Sequence, residues 1–519
     1  MRGLPEPRVL PHLNKILIAN RGEIAARVIR TCREMGLTTV AVYSECDRTA
    51  LHVRLADEAY AIGPGQASES YLRIDKLIDV ARASRADALH PGYGFLAENP
   101  ELAEACRKAG VTFIGPTAKA MHLMGNKTGA RQIAMAAGVP VVPGTEKPFG
   151  AGANDSELSA AALTVGYPLL VKAVAGGGGK GMRSVRSESE LASAVGMARS
   201  EARSAFGHDA VYFERLIERP RHIEVQLLGD EHGTVLPFVE RECSIQRRHQ
   251  KLVEETPSPV VTPDLRAQLA QSAAAIGLAA GYTSAGTDEF LLDGGGRYYF
   301  LEMNTRLQVE HPVTEAVTGI DFVRAQIDIA NGARLQYDPE RLLTPAGHAI
   351  ECRVYAEDPD DAFLPSPGLI THLRAPSGPG IRDDTGATAG WTVPTYYDSL
   401  VSKVIAWGPD RPGAVARMVR ALREYDLRGI KTTIGFCREL LMSPAFAAGD
   451  FDTTTVDRIL ERRRNDAPQD AELEELAAMA AAFAARRETP GEPKKPKTPR
   501  GVTQAESLWE QRARLESLR

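Results

Sequence analysis

The run Glu302-Met303-Asn304-Thr305-Arg306-Leu307-Gln308-Val309-Glu310-His311 gathers oxygen ligands, a guanidinium, an amide and a further carboxylate into one short stretch. Upstream, residues 297–301 are aromatic and β-rich, and residues 287–292 read as a second strand. Asp293-Gly294-Gly295-Gly296 between them is a hairpin signal. A turn centred on Gly295 and Gly296 sets Glu289 opposite Glu302, and the two-residue period of a strand puts Asn304 on the face of Glu302. Two carboxylates and an amide oxygen suit a hard cation such as Mg2+, which keeps room for phosphates. Like charges held that close need a cation, or one of them takes up a proton. Past this face, Arg306 offers an anion-binding fork and Glu310 a candidate general base. The competing reading is a hairpin whose acids face solvent; the Arg, Gln and Glu that follow favour a site.

Two further stretches carry chemistry. A strand at 168–173 runs into Gly176-Gly177-Gly178-Gly179-Lys180-Gly181, which is not a Walker A loop because Lys180 is followed by glycine. Four consecutive glycines cost backbone entropy to order, so a flap that closes its N–H groups over phosphates explains them better than a linker between closely flanking strands. Residues 241–251 form a basic cluster flanked by Glu240, Glu242, Glu254 and Glu255, which reads as a local anion pocket and not a nucleic-acid track. Cys243 within it reads as a core thiol. Gly92-Tyr93-Gly94-Phe95-Leu96-Ala97 matches a loose dinucleotide fingerprint, but a tight turn needing two glycines is the better reading.

These stretches need a large scaffold. The chain has 519 residues, which implies roughly two to four domains. Its 43% hydrophobic and 25% charged content is that of a soluble globular protein, and a net charge of −5 argues against nucleic acid as a partner. Six cysteines form no CxxC pair or metal spacing, so reduced thiols in a cytoplasmic protein are expected. Neither a signal peptide nor a membrane-length apolar run is visible. Strand–helix alternation from residue 16 to about 114 predicts a parallel α/β region. A helical pattern spans about 115–138, and an Ala-rich helix spans 264–281. A strand at 348–355 puts Glu351 and Arg353 on one face, and short strands and a helix at 413–425 follow. Beyond about 464 an Ala/Glu-rich helix leads to a proline-lysine linker and one capped helix bearing Trp509.

Six strings in this order resemble biotin carboxylase, the ATP-grasp component of biotin-dependent carboxylases. They are NRGEIA at 20–25, HPGYGFLAEN at 90–99, the glycine segment at 170–182, QRRHQK at 246–251, EMNTRLQVEHPVTE at 302–315 and FLPSPG at 363–368. The resemblance, which runs from about Lys15 to about residue 460, implies an α/β protein in three parts. A Rossmann-like domain at 12–125 precedes an ATP-grasp domain at 126–343 with a mobile lid at about 145–215. A mixed α/β domain at 344–460 completes it, and the composition beyond it reads as a helical, Pro/Lys-rich tail at 465–519. It implies carboxylation of biotin by ATP and bicarbonate through carboxyphosphate, the first half-reaction of a carboxylase whose acceptor is acetyl-CoA, propionyl-CoA, another acyl-CoA or pyruvate.

By the same resemblance, Lys127, Lys172 and the lid glycines Gly177, Gly178 and Gly179 contact ATP phosphates. Glu214, Arg215 and Ile217 line the adenine pocket largely through backbone. His222, Gln246 and His249 lie near ribose and phosphates, and Glu289 and Glu302 hold Mg2+ or Mn2+ with support from Asn304. Lys251, Arg306, Gln308 and the Val309 backbone hold bicarbonate; Glu310 is its general base, and Arg353 stabilises carboxyphosphate and the biotin enolate. Two departures fall in the lid, Ala175 for a glycine and Lys180 for an arginine. The expected partners are a biotin carboxyl carrier protein, a carboxyltransferase and a second copy of the chain. None of the lysines has a methionine on either side, and the 59 residues after position 460 suit helix and linker, so the biotin is expected on a separate polypeptide.

Overall fold

The computed structural model describes residues 13–150, 152–174 and 181–465, together with Met479. The lid residues 175–180, with Gly177, Gly178 and Gly179, and nearly all of the expected tail lie outside the described residues. The chain divides into two compact units, Met1–Arg458 and Ile459–Arg519, and every candidate site residue belongs to the first.

The N-terminal region is a five-stranded parallel sheet in the order Glu58–Gly63, Thr38–Ser44, Lys15–Ile18, Ala88–His90, Thr112–Phe113. Its central strand is a short apolar run because helices cover both faces, leaving Ile16, Leu17 and Ile18 inaccessible. The helix Gly22–Glu34 buries Ile24, Val28 and Ile29 and ends before Gly36, whose φ of +74° a side chain would disfavour. The 92–97 stretch is the tight turn expected: Gly92 and Gly94 have φ of +63° and +68°. The Asn20 side-chain amide donates to the Pro91 and Tyr93 carbonyls at 2.7 and 2.8 Å, tying this turn to the first strand–helix turn.

The helical pattern at 115–138 is two helices, Ala118–Gly125 and Lys127–Ala136. The break is local chemistry: the Asn126 side chain accepts from the Gly129 N–H and caps the second helix, so Lys127 starts it. An antiparallel three-stranded sheet, Met182–Val185, Leu169–Ala173 and Val211–Arg215, carries Lys172 and Glu214.

The site rests on a nine-stranded antiparallel sheet. Its main path runs Tyr298–Asn304, Ser284–Leu292, Arg221–Gly229, Arg241–Arg247, Gln250–Thr256, His348–Tyr355, Leu400–Gly408 and Ile381–Thr385, with Val235–Pro237 beside Arg221–Gly229. Strand His348–Tyr355 pairs directly with Gln250–Thr256, putting Glu254 opposite Glu351, so the sheet continues past residue 344. Helix Pro263–Ala280 packs beneath it and ends at Gly281, in the left-handed region.

Candidate active site

The Glu289–Glu302 pairing occurs as expected, by a slightly different route. Leu292 pairs with Tyr298 and Phe290 with Phe300, which centres the turn one half-residue earlier than Gly295-Gly296. An irregularity between Glu289 and Phe290 then shifts the ladder and brings Glu289 opposite Glu302. Asn304 donates to Glu289 Oε1 at 2.8 Å. The Glu302 carboxylate stays 37% exposed, with Lys127 Nζ at 3.5 Å.

Behind this face lies a cluster of buried ions. Lys251 Nζ donates to Glu310 at 2.7 Å and Glu289 at 3.1 Å, and to Glu224. Burial alone would push the Lys251 ammonium down; Glu224, Glu289 and Glu310 outweigh it and hold its pKa well above the usual lysine range. Glu310 is fully buried, with its second oxygen 3.0 Å from Arg353 Nη2. Burial and the neighbouring Glu224 would raise its pKa, but Lys251 and Arg353 bring the net shift below the ordinary range. Arg353 also pairs with Glu254 at 2.5 Å, and Arg241, fully buried, donates to Glu224 and to Gln226 Oε1. The basic cluster is thus largely matched by acids in place, and Arg247 pairs with Glu357 at 3.1 Å. Cys243 is buried and its thiol is pushed well up by desolvation, so it is a core thiol. All six cysteines are free.

His222 Nε2 lies 3.2 Å from both Glu224 and Glu289. Burial lowers its pKa, but the two carboxylates raise it to about 10 on balance. A folded value above the unfolded one, near 6.5, contributes stability below pH about 6.5 that is lost as pH rises through about 10. In urea titrations the unfolding free energy should fall across that window by at most about 1.4 kcal/mol per pH unit. His222→Gln should flatten the fall; an unchanged slope would contradict a charged His222.

Arg306 lies on the loop after the hairpin. Its Nε donates to Glu98 at 2.9 Å, and its other nitrogens reach Gln308 Oε1 and Asn304 Oδ1, each at 3.2 Å. Glu98 also accepts from the Thr305 N–H at 2.9 Å, so it orients the fork from the N-terminal region. Gln308 is 3% exposed and its Nε2 has no hydrogen-bond partner among the described residues. A buried amide donor without an acceptor is costly, which fits an anion beside Arg306. Lys403 Nζ donates to the Val309 carbonyl at 2.7 Å.

Two further expected residues form a separate pair. Lys172 Nζ is 2.7 Å from Glu214, and Arg131 is 3.4 Å from the same carboxylate. The Glu214 carboxylate is thus held between two cations. The Arg215 N–H donates to Pro143 O at 2.8 Å with its side chain exposed, and Ile217 is half-buried. Gln246 is buried opposite Lys251, and His249 sits exposed at the hairpin tip with φ of +66°.

Sequence reasoning passed over Glu224, Glu98 and Lys403, and used Glu254 only as one of the acids flanking the basic cluster, not as the partner of Arg353. Glu224 was visible in the alternation of His222, Glu224 and Gln226 along one strand face, and Glu98 lies inside the HPGYGFLAEN string. The two contacts of Glu254 and Lys403 come from strands with no local relation to the 302–311 run.

A carboxylate-bearing antiparallel sheet, a smaller sheet with its paired lysine and acid, and a parallel N-terminal sheet define the ATP-grasp class. Residues 126–338 match the carbamoyl-phosphate synthase L chain ATP-binding domain, residues 12–121 the biotin carboxylase N-terminal domain, and residues 351–458 the biotin carboxylase C-terminal domain. The chain is 52% identical over 443 residues to a biotin carboxylase of Nostoc sp., covering 85% of this chain and 98% of that protein. It is 51% identical over 445 residues to a pyruvate carboxylase subunit from Methanothermobacter thermautotrophicus, covering 86% and 89%. Among solved structures, the biotin carboxylase domain dimer of Hydrogenobacter thermophilus 2-oxoglutarate carboxylase, with MgADP, ADP and bicarbonate, superimposes with a TM-score of 0.82. It is 47% identical, covering 86% of this chain and 97% of that one. The chain belongs to the biotin carboxylase family.

Proposed function

We propose that the protein uses ATP and bicarbonate to carboxylate biotin borne on a separate carrier protein. The observation that carries this is Glu310, sealed between Lys251 and Arg353 at the end of the loop that bears the Arg306 fork and the unpartnered Gln308 amide. Bicarbonate sits against Arg306, Gln308, Lys251 and the Val309 backbone, because a planar guanidinium pairs two oxygens at once. The low pKa keeps Glu310 ionised at neutral pH, ready to take the bicarbonate proton as its oxygen bonds to the γ-phosphorus and ADP leaves. Carboxyphosphate then releases CO2 and phosphate beside biotin; the phosphate removes the ureido proton, and the nitrogen attacks CO2. Arg353, anchored by Glu254, stabilises the negative charge on carboxyphosphate and on the biotin enolate.

Lys127 and Lys172 contact the ATP phosphates, each pre-set by an acid, Glu302 and Glu214. Glu214, Arg215, Ile217, Gln246, His222 and His249 shape the nucleotide pocket. An all-oxygen donor set of Glu289, Glu302 and Asn304 suits Mg2+ or Mn2+, which neutralises phosphate charge when bound. The carrier, a carboxyltransferase and a second copy of the chain complete the assembly, and the dimer described for the Hydrogenobacter domain supports the last. Among the described residues, no helix is long and apolar enough to cross a membrane.

The test is ATP hydrolysis in purified protein. It should require bicarbonate and Mg2+ and rise with free biotin; equal hydrolysis with and without bicarbonate would overturn the reading. Bicarbonate dependence without any response to free or carrier-bound biotin would favour carbamoyl-phosphate-like chemistry, the namesake of the 126–338 match.

A further inference from the structure

Lys403 has no part in the mechanism above, yet it is a fully inaccessible lysine beside the anion loop. It lies on strand Leu400–Gly408, directly opposite Arg353 on the neighbouring strand. Its Nζ donates to the Val309 carbonyl at 2.7 Å, lies 3.2 Å from Glu23 Oε1 and sits over the Tyr93 ring at 5.6 Å. Next along the loop, the His311 ring holds the preceding carbonyl: Nδ1 is 2.7 Å from Gln308 O. A carbonyl only accepts, so Nδ1 carries the proton, and burial keeps the ring neutral by holding its pKa well below the usual range.

Both peptides are trans, so each N–H points opposite to its carbonyl. Holding Gln308 O against His311 aims the Val309 N–H away from that ring. Holding Val309 O against Lys403 aims the Glu310 N–H away from the ammonium. Two successive amide donors are thereby pre-set on a loop that also carries Arg306, the unpartnered Gln308 Nε2 and Glu310. Successive oriented N–H groups of this kind favour an anion.

We propose that Lys403, with His311, is a positioning residue for bicarbonate: it acts through the Val309–Glu310 peptide and touches no substrate. The buried ammonium fixes the peptide plane before the anion arrives, which lowers the reorganisation cost of binding. Glu23 balances part of its charge and joins the anion loop to the first strand–helix turn. This inference rests on the bicarbonate reading above.

The test compares wild type, Lys403→Met and Lys403→Arg in steady-state ATP hydrolysis, with bicarbonate and ATP varied separately and thermal unfolding recorded. Lys403→Met should raise the bicarbonate KM by about tenfold or more, leave the ATP KM within about twofold, and be partly rescued in Lys403→Arg. A folded Lys403→Met with an unchanged bicarbonate KM, or one in which both KM values rise together, would overturn the proposal. Should Lys403→Met show no cooperative unfolding, His311→Leu and His311→Asn carry the test. Leu should raise the bicarbonate KM and Asn, which keeps a donor, should restore it; equal values in the two would overturn the proposal. Wild type without bicarbonate-dependent turnover would instead remove the functional reading itself.

Discussion

Glu310→Gln should lower bicarbonate-dependent ATP turnover by about 10²–10⁴, the usual size of a general-base contribution. The substitution is nearly isosteric, so the fully buried position keeps its packing. Its chemistry changes in two ways. An amide cannot take the bicarbonate proton, and only one of its two terminal atoms is an acceptor. Glu310 offers Oε1 to Lys251 and Oε2 to Arg353, so glutamine must turn an N–H2 toward one of these cations. Turnover should therefore fall while nucleotide affinity, which the proposed function assigns largely to the surroundings of Lys172 and Glu214, changes little. Single-turnover kinetics paired with calorimetric ADP binding check this. Turnover within about tenfold of wild type would remove Glu310 as the base.

Lys251→Met should abolish most turnover and destabilise the fold by about 3–5 kcal/mol, because it strips one cation from three buried carboxylates. The pH dependence gives it a signature. Glu224, Glu289 and Glu310 all have folded pKa values below the ordinary carboxylate range, despite the opposing effect of burial. They contribute stability above their unfolded pKa, and that stability is lost as pH falls through the folded values. Without Lys251, burial raises these pKa values, so the variant gains protons and relative stability on acidification. The stability gap between wild type and Lys251→Met should narrow from pH 7 to pH 5 in urea titrations. A gap that stays constant or widens would show that Lys251 is not the shared counter-ion.

The legible part of the site is the part made by neighbouring residues. Asp293 and three glycines demand a turn, strand alternation selects faces, and together they place Glu289, Glu302 and Asn304 near one another. Even there the register at Glu289 depends on an irregularity that no turn rule supplies. The parallel α/β start, the glycines of the 92–97 turn and the buried Cys243 were likewise readable, because helix stops, positive φ and apolar runs are local properties. The six strings identified the family and the expected roles of Arg306, Glu310 and Arg353.

What holds those side chains was decided only by tertiary structure. Arg353 meets Glu254 and Glu310 because strand His348–Tyr355 inserts between Gln250–Thr256 and Leu400–Gly408. Glu98 reaches Arg306 across 208 residues, and Lys403 reaches Val309 across 94. Local propensity cannot choose such partners, since any of several strands with the same alternation could pair with any other. Burial makes the choice: an ion removed from water must find an opposite charge, and only the folded sheet brings Lys251, Glu224, Glu289 and Glu310 within reach of one another.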